Sequence, residues 1–351
     1  MTLRVGIVGV GVIGHRRAQV VANDPRATLV MVADTNAERA DSIAAEFGCK
    51  ATTDWHELIT RDDIDVVVVS VFNTYLGPIA IAAARAGKHV LCEKPLGRSA
   101  TEAAEIVQAF ERVGKTLKVG FNLRFHPGLR QAHDVCADGR IGRPLYVRAA
   151  YGHGGRPGYE LEWRGNRDLA GGGELLDQGV HIADLCRWFL GEFDTVAGRT
   201  TQGFWNAGDL EDNGFALLWA KSGVVATFHT SWMQWKNRFL FEVIATAGYA
   251  TVDGLGGSYG PERLTIGLRR PEGGPPEEET VTFDPEDPSW RDEWREFVDA
   301  IEENREPISS GADALRTMQV IDAIYAASAA PGGTSTISNP PVGLVNSGVT
   351  G

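Results

Sequence analysis

The sequence predicts an α/β protein in two parts: a doubly wound parallel sheet, then an α+β unit on a mainly antiparallel sheet. Three observations carry this. Short β-rich runs alternate with helix-like segments through the first third of the chain. A glycine motif, Gly9-Val10-Gly11-Val12-Ile13-Gly14, sits at the first strand–helix turn. Beyond about Phe125, strand candidates follow one another with turn signals and few helices between them.

In the first part, the runs 3–8, 28–33, 65–71, 89–93 and 116–120 read as buried parallel strands. Segments 13–22, 36–47, 78–86 and 101–113 read as the helices between them. Ser99 and Glu102 fit a capping box for the last of these, and Gly114 fits its stop. In the second part, runs 144–151, 195–205, 214–220, 224–233, 238–245, 250–253, 264–268 and 280–283 read as strands, with 245–249 as a hairpin connection. A helix over 175–190 interrupts them, and helices resume at 289–303 and 311–329, packing back on the first part. The expected division is 1–124 for dinucleotide binding, 125–330 for substrate, and 331–351 as a flexible Gly/Ser/Pro tail.

The chain has 351 residues, 43% hydrophobic and 23% charged, as expected of a folded globular protein. A net charge of −12 with no basic block argues against a nucleic-acid partner. No apolar run is long enough to span a membrane, and the N-terminus reads as a first strand, not a signal peptide. Cys49, Cys92, Cys136 and Cys186 are scattered, which suits reduced thiols in a cytoplasmic protein and no metal site.

In the glycine motif, Gly9 makes the tight turn, Gly11 admits a pyrophosphate against the backbone, and Gly14 lets the helix pack closely. The N–H groups at the helix start, around Val12 and Ile13, then bind phosphate. Asp34, about 20 residues on, suits the ribose hydroxyls and repels a 2′-phosphate, which favours NAD over NADP. Arg16, Arg17 and Arg39 lie close by in sequence, and a solvated helix face is their expected place.

Two further motifs carry chemistry. Cys92-Glu93-Lys94-Pro95 ends a strand of the first sheet, at the edge where ligands bind, and a lysine there can stabilise alkoxide character. Gly171-Gly172-Gly173 forms a side-chain-free approach, followed by Asp177 and His181 at i and i+4 on one helix face. A carboxylate beside an imidazole is a unit of acid–base chemistry; Asp184 can reach the ring to orient it, but a structural role is the expected one.

Taken together, GxGxxG, EKP and GGGxxxDxxxH resemble the glucose–fructose oxidoreductase/inositol dehydrogenase/MocA (Gfo/Idh/MocA) family of NAD(P)-dependent sugar and cyclitol oxidoreductases, over residues 3–330. The resemblance implies a Rossmann domain and a second domain with a large open sheet, through which homodimers or homotetramers form. It makes Lys94, Asp177 and His181 the catalytic group. It also implies that Glu93 and Pro95 shape the nicotinamide pocket, with a cis peptide before Pro95, and that Asn73 lies near the cofactor ribose. This chain departs from the family at Phe72 and Leu76, where Pro-Asn followed by histidine is common, so the pocket is expected to be more apolar.

Asn122 and Arg124, in the segment joining the domains, are expected at the substrate by the same resemblance. Trp163 and Arg164 offer an aromatic face and a guanidinium fork, and the glycine-rich loop bearing Arg156 and Tyr159 can close over the pocket. The three arginines hint at an anionic substrate such as a nucleotide sugar. Trp205, Trp219, Trp232 and Trp235 are expected in sheet packing or an interface. The expected reaction is hydride transfer between a secondary alcohol of a sugar, sugar derivative or cyclitol and nicotinamide, giving a keto-sugar. His181 serves as proton acceptor, Asp177 positions and charges the imidazole, and oxidation rises through a pKa of roughly 6.5–8. The rivals are keto-sugar reduction, NAD-assisted elimination or glycoside cleavage, and a non-catalytic dinucleotide sensor.

Overall fold

A computed structural model describes residues 2–205 and 208–338. Its first sheet contains β1 (Leu3–Val8), β2 (Ala27–Ala33), β3 (Lys50–Thr52), β4 (Val66–Val69), β5 (His89–Cys92) and β6 (Leu117–Val119). All pairs are parallel, in the order β3-β2-β1-β4-β5-β6. The four valines of β4 are wholly buried, as expected of a strand covered by helices on both faces. Strand order reverses between β1 and β4, and the crevice beyond their C-terminal ends is where such sheets take ligands.

The second sheet contains β7 (Pro144–Gly152), β8 (Thr195–Thr201), β9 (Asn213–Trp219), β10 (Val225–Ser231), β11 (Arg238–Ala245), β12 (Gly248–Asp253), β13 (Arg263–Leu268), β14 (Glu277–Thr282) and β15 (Thr334–Thr336). The order is β14-β13-β12-β11-β7-β10-β9-β8-β15. One pair breaks the antiparallel pattern: β10 runs parallel to β7. After β7 the chain leaves the sheet through a helical excursion, and the β8-β9-β10 meander returns from the far edge, so its third strand lands in the direction of β7. Alternation is clean in β11, where Phe239, Phe241 and Val243 are fully buried and their neighbours point outward.

Several elements differ from the sequence expectation. The helix expected from residue 78 begins at Asn73 and runs to Arg85 with Pro78 inside it. The proline removes one backbone donor without ending the helix. Helices Trp55–Ile59 and Pro127–Ala137, and strand β3, were not expected, although Asp54 as N-cap and Pro127 at the first helical turn are the usual start signals. Within the expected tail, Thr334–Thr336 is an edge strand paired with β8; residues 339–351 lie outside the described residues.

The C-terminal helices do pack back on the first part. Trp294, Phe297 and Val298 of helix Ser289–Glu302 share a buried cluster with Leu3, Val5, Val68 and Leu91. Helix Gly311–Ala329 lies against both helix Ala100–Val113 and β8. Ser99 caps helix Ala100–Val113 through the Glu102 N–H, and Gly114 ends it in the left-handed region. Among the described residues no helix is long and apolar enough to cross a membrane.

Candidate active site

The glycine motif has the geometry that its spacing predicts. Gly9 has φ +82°, and a side chain there would strike the Ser70 carbonyl. A Cβ on Gly14 would overlap the Gly9 carbonyl oxygen, so this position is closed to any side chain. Gly11 is the opposite case, since a Cβ placed on it would have no heavy atom within 4 Å. It caps helix Val12–Ala22 without any side-chain hydrogen bond to the first N–H groups, and Val12 beside it is 84% exposed. That open, donor-rich cradle fits a pyrophosphate. At the end of β2, the Asp34 carboxylate accepts from the Val10 and Asn36 N–H groups. Arg39 lies 3.3 Å from the Asp34 carboxylate.

Arg17 is not on a solvated face. It is 1% exposed and bonded to Glu93 and Glu293.

The three glycines before the helix that carries Asp177 and His181 each abut a neighbour. A side chain on Gly171 would meet Arg98, one on Gly172 the Tyr325 hydroxyl, and one on Gly173 the Glu211 backbone. Glu211 accepts hydrogen bonds from the Gly173 and Leu175 N–H groups and from Tyr325, which fixes the start of the helix. Residues Leu175–Gly179 form a π-helical turn running into helix Val180–Leu190. Such turns occur often at functional sites.

Asp177 and His181 are both nearly buried, but the carboxylate does not hold the imidazole. Lys94 Nζ donates to Asp177 Oδ1 at 2.9 Å and to the Asp177 carbonyl at 2.7 Å. Arg164 Nε donates to Asp177 Oδ2 at 2.8 Å. Burial pushes the Asp177 carboxyl up, yet the Arg164 and Lys94 charges outweigh it and hold the carboxyl far below the usual carboxylate range. The carboxylate expected to position and charge the imidazole is therefore taken by two cations, which are strong partners for a buried carboxylate. Asp184 does not orient the ring either; it forms a bidentate pair with Arg124 at 2.8 and 2.7 Å.

His181 is 5% exposed and touched edge-on by Phe121 and Tyr151. Its Nδ1 is buried with no hydrogen-bond partner among the described residues. Burial and the Lys94 charge hold the imidazole well below its ordinary pKa, against a smaller opposing pull from Asp177. Both effects favour the neutral ring, which argues against His181 being the group that titrates in the expected range of 6.5 to 8.

Other predicted residues divide. The Lys94–Pro95 peptide is cis. Trp163 stacks on Phe72 with ring centres 5.2 Å apart, joining the 159–165 segment to the first sheet's ligand edge. Asn73 Nδ2 donates to the Ala170 carbonyl at 2.8 Å. Tyr159 is buried between Trp232 and His153.

Three predicted substrate contacts are engaged elsewhere. Arg124 is 3% exposed and held by Asp184 and Asp313. Asn122 donates to the Ser289 hydroxyl. Arg156 pairs with Glu162 on its own loop. Trp232 is buried as expected, whereas Trp235 is 65% exposed beside Phe204.

Glu174 was missed by sequence reasoning. It is fully buried, and neither carboxyl oxygen has a partner among the described residues. Burial, with the nearby Asp177 charge, pushes its pKa well up. The sequence signal was a glutamate wedged between the three glycines and Leu175-Leu176.

Known proteins place this arrangement. Residues 3–121 match the model of an oxidoreductase family with an NAD-binding Rossmann fold, and residues 129–251 match the GFO/IDH/MocA C-terminal domain. The chain is 32% identical over 334 residues to 1,5-anhydro-D-fructose reductase of Ensifer adhaerens, covering 93% of this chain and 96% of that protein. It is 31% identical to inositol 2-dehydrogenase of Salmonella typhimurium over 55% of this chain and 56% of the relative. Among solved structures, levoglucosan dehydrogenase in complex with NADH superposes with a TM-score of 0.88 at 26% identity, covering 97% of this chain and all of that one. The chain belongs to the GFO/IDH/MocA oxidoreductase family.

Proposed function

We propose that this chain is an NAD-dependent dehydrogenase of a secondary alcohol on an uncharged sugar, anhydrosugar or cyclitol. The observation that carries the reading is the partnerless, neutral His181 beside an Asp177 that two cations keep ionised. Both oxygens of the Asp177 carboxylate are taken by Lys94 and Arg164, so the imidazole, whose Nδ1 has no partner among the described residues, is the group free to accept the proton. Lys94 spends two of its three ammonium donors on Asp177, leaving one for the substrate oxygen. That donor stabilises negative charge on the oxygen as His181 takes its proton.

Bound nicotinamide supplies the hydride acceptor. Gly9, Gly11 and Gly14, the N–H groups around Val12 and Ile13, and the Asp34 carboxylate are the groups that would hold the dinucleotide. Its ring would lie toward the turn of Glu93, Lys94 and Pro95. A related solved structure described as levoglucosan dehydrogenase with NADH and levoglucosan supports both cofactor and substrate class.

Arg124, Arg156 and Arg164 each pair with a carboxylate, which speaks against the anionic substrate that these arginines suggested. Tyr159, Trp163 and Arg164 remain in the proposed substrate wall with Lys94, Asp177 and His181. Residues 1–124 are proposed as the cofactor domain and 125–330 as the substrate domain. Tyr146, Phe215 and Leu217 share one partly exposed face of the second sheet, which supports a homodimer or homotetramer through that face. Four unpaired cysteines support a cytoplasmic setting.

The test uses His181→Asn with a panel of inositols, free sugars and anhydrosugars, scoring NADH formation. The variant should bind NADH normally and lose about 10²–10⁴-fold in kcat. Oxidation by the wild type should stay flat from pH 8 down to about 6.5, because the depressed imidazole is still unprotonated there. Near-normal turnover by the variant would remove His181 from the reaction.

A further inference from the structure

The structure assigns to Arg17 a positioning role: it holds the Glu93-Lys94-Pro95 turn in place and ties that turn to helix Ser289–Glu302. This rests on the reading of Lys94 as a substrate-facing donor. Arg17 lies on the helix that starts at the glycine motif, yet it is 1% exposed. Its Nε and Nη2 donate to Glu93 Oε1 at 2.9 and 2.6 Å, and its Nη1 donates to Glu293 Oε2 at 2.5 Å. Its guanidinium also lies 4.5 Å from the centre of the Trp290 ring. Three segments far apart in sequence thus meet on one planar cation: the dinucleotide helix, the turn carrying Lys94, and a C-terminal helix.

Local packing shows that the site is built for this contact. A Cβ at Gly120 would stand 2.9 Å from both Arg17 Nη2 and Glu93 Oε2, so the β6 side is open only because residue 120 is glycine. Glu93 directly precedes Lys94, whose ammonium must meet the Asp177 carboxylate at 2.9 Å across the cleft. The Glu93 side chain is fixed by a two-donor grip from Arg17, which a lysine cannot reproduce. A displaced Glu93 turns the adjoining Lys94 out of register with Asp177, and misplacement by about 1 Å at a reacting group is enough to cost on the order of 10² in rate. A second buried cation, Lys118, donates to Glu296 at 2.5 Å and to the Ile308 carbonyl at 2.6 Å, so the same C-terminal helix is anchored to β6 independently of Arg17. Loss of Arg17 therefore loosens the turn while Lys118 keeps the helix docked.

The test measures Lys94 directly as well as turnover. Wild type, Arg17→Met, Arg17→Lys and Glu293→Gln are treated under native conditions with an amine-acylating reagent, and Lys94 modification is timed by mass spectrometry. Thermal melts confirm that each variant is folded at the assay temperature.

In Arg17→Met, Lys94 should acylate about fivefold faster or more, and kcat should fall about tenfold or more with the KM for substrate changed less. Arg17→Lys should not restore the wild-type values, because a single ammonium lacks the fork. If Arg17→Met fails to fold, Glu293→Gln decides, with Lys94 acylation at least about twofold faster supporting the role. A folded Arg17→Met, or failing that a folded Glu293→Gln, with wild-type acylation and wild-type kcat would overturn the positioning role. Because acylation is read without any substrate, its result stands apart from the dehydrogenase reading, which fails separately if the wild type oxidises no polyol.

Discussion

Replacing Gly11 by alanine separates the cofactor cradle from the fold. Gly11 has φ −66° and ψ −160°, values open to any residue, and no heavy atom lies within 4 Å of a Cβ placed there. The folded chain should accept the methyl group, losing about 1 kcal/mol or less through the weaker helix cap. The dinucleotide should not. The methyl group would stand where the backbone must approach a pyrophosphate, and losing one charge-assisted hydrogen bond costs about 1.5–3 kcal/mol. NADH affinity should therefore fall by roughly 10- to 150-fold. Gly14→Ala is the control in the other direction, since its Cβ would overlap the Gly9 carbonyl and destabilise the chain by about 3 kcal/mol. A fluorescence titration with NADH beside a thermal melt reads both quantities. Wild-type NADH affinity in Gly11→Ala, with the melt unchanged, would refute the placement of the phosphates at this turn.

Two other residues give sharp outcomes. Arg164→Met removes one of the two cations on Asp177 but leaves Lys94, so stability should drop by about 2 kcal/mol and the protein should stay folded. Its kcat should fall about tenfold or more, and unchanged kinetics would show that Lys94 alone suffices. Glu174 carries a raised pKa, so the folded state holds a proton that the unfolded chain has released, and stability falls as pH rises through the range above 4.5. Glu174→Gln should reduce that decline, seen as a smaller loss of Tm between pH 5 and pH 8; an equal loss in both proteins would mean that Glu174 does not titrate on unfolding.

Five of the first sheet's six strands were legible because parallel buried strands read as apolar runs; the three-residue edge strand β3, which is only partly buried, does not. Gly9 and Gly14 were correctly assigned from spacing alone because their constraint is local: each backbone abuts another a few residues or one strand away. Pro78 misled because a rule about one residue was outweighed by tertiary packing of Leu76, Ile79 and Ala80. The parallel β7–β10 pair was hidden because no local pattern records how a meander re-enters a sheet. The site itself was half legible. Lys94, Asp177 and His181 could be named as candidates from motifs, but the ion pairs in and around them could not, since Lys94–Asp177, Arg17–Glu93, Arg124–Asp184 and Arg164–Asp177 are separated by 83, 76, 60 and 13 residues. An arginine on a helix face gives the same sequence signal whether it meets water or a buried carboxylate.

Those partners decide the chemistry. Had Asp177 bonded to His181, the imidazole would have gained charge from a neighbouring carboxylate, and its pKa would have been drawn upward. Instead the carboxylate is committed to Lys94 and Arg164, and burial leaves the ring neutral. Two cations against one carboxylate, beside a neutral imidazole, leave the cleft wall one positive charge in excess. In the proposed reaction that excess would not require a charged substrate, because the alcohol oxygen would itself become negative as its proton left for His181. On that proposal Lys94, held by Asp177, would meet charge that exists only along the reaction coordinate, so its interaction would strengthen toward the transition state and not in the bound alcohol. An Asp177→Asn variant should accordingly lower kcat more than it raises the KM of an uncharged polyol.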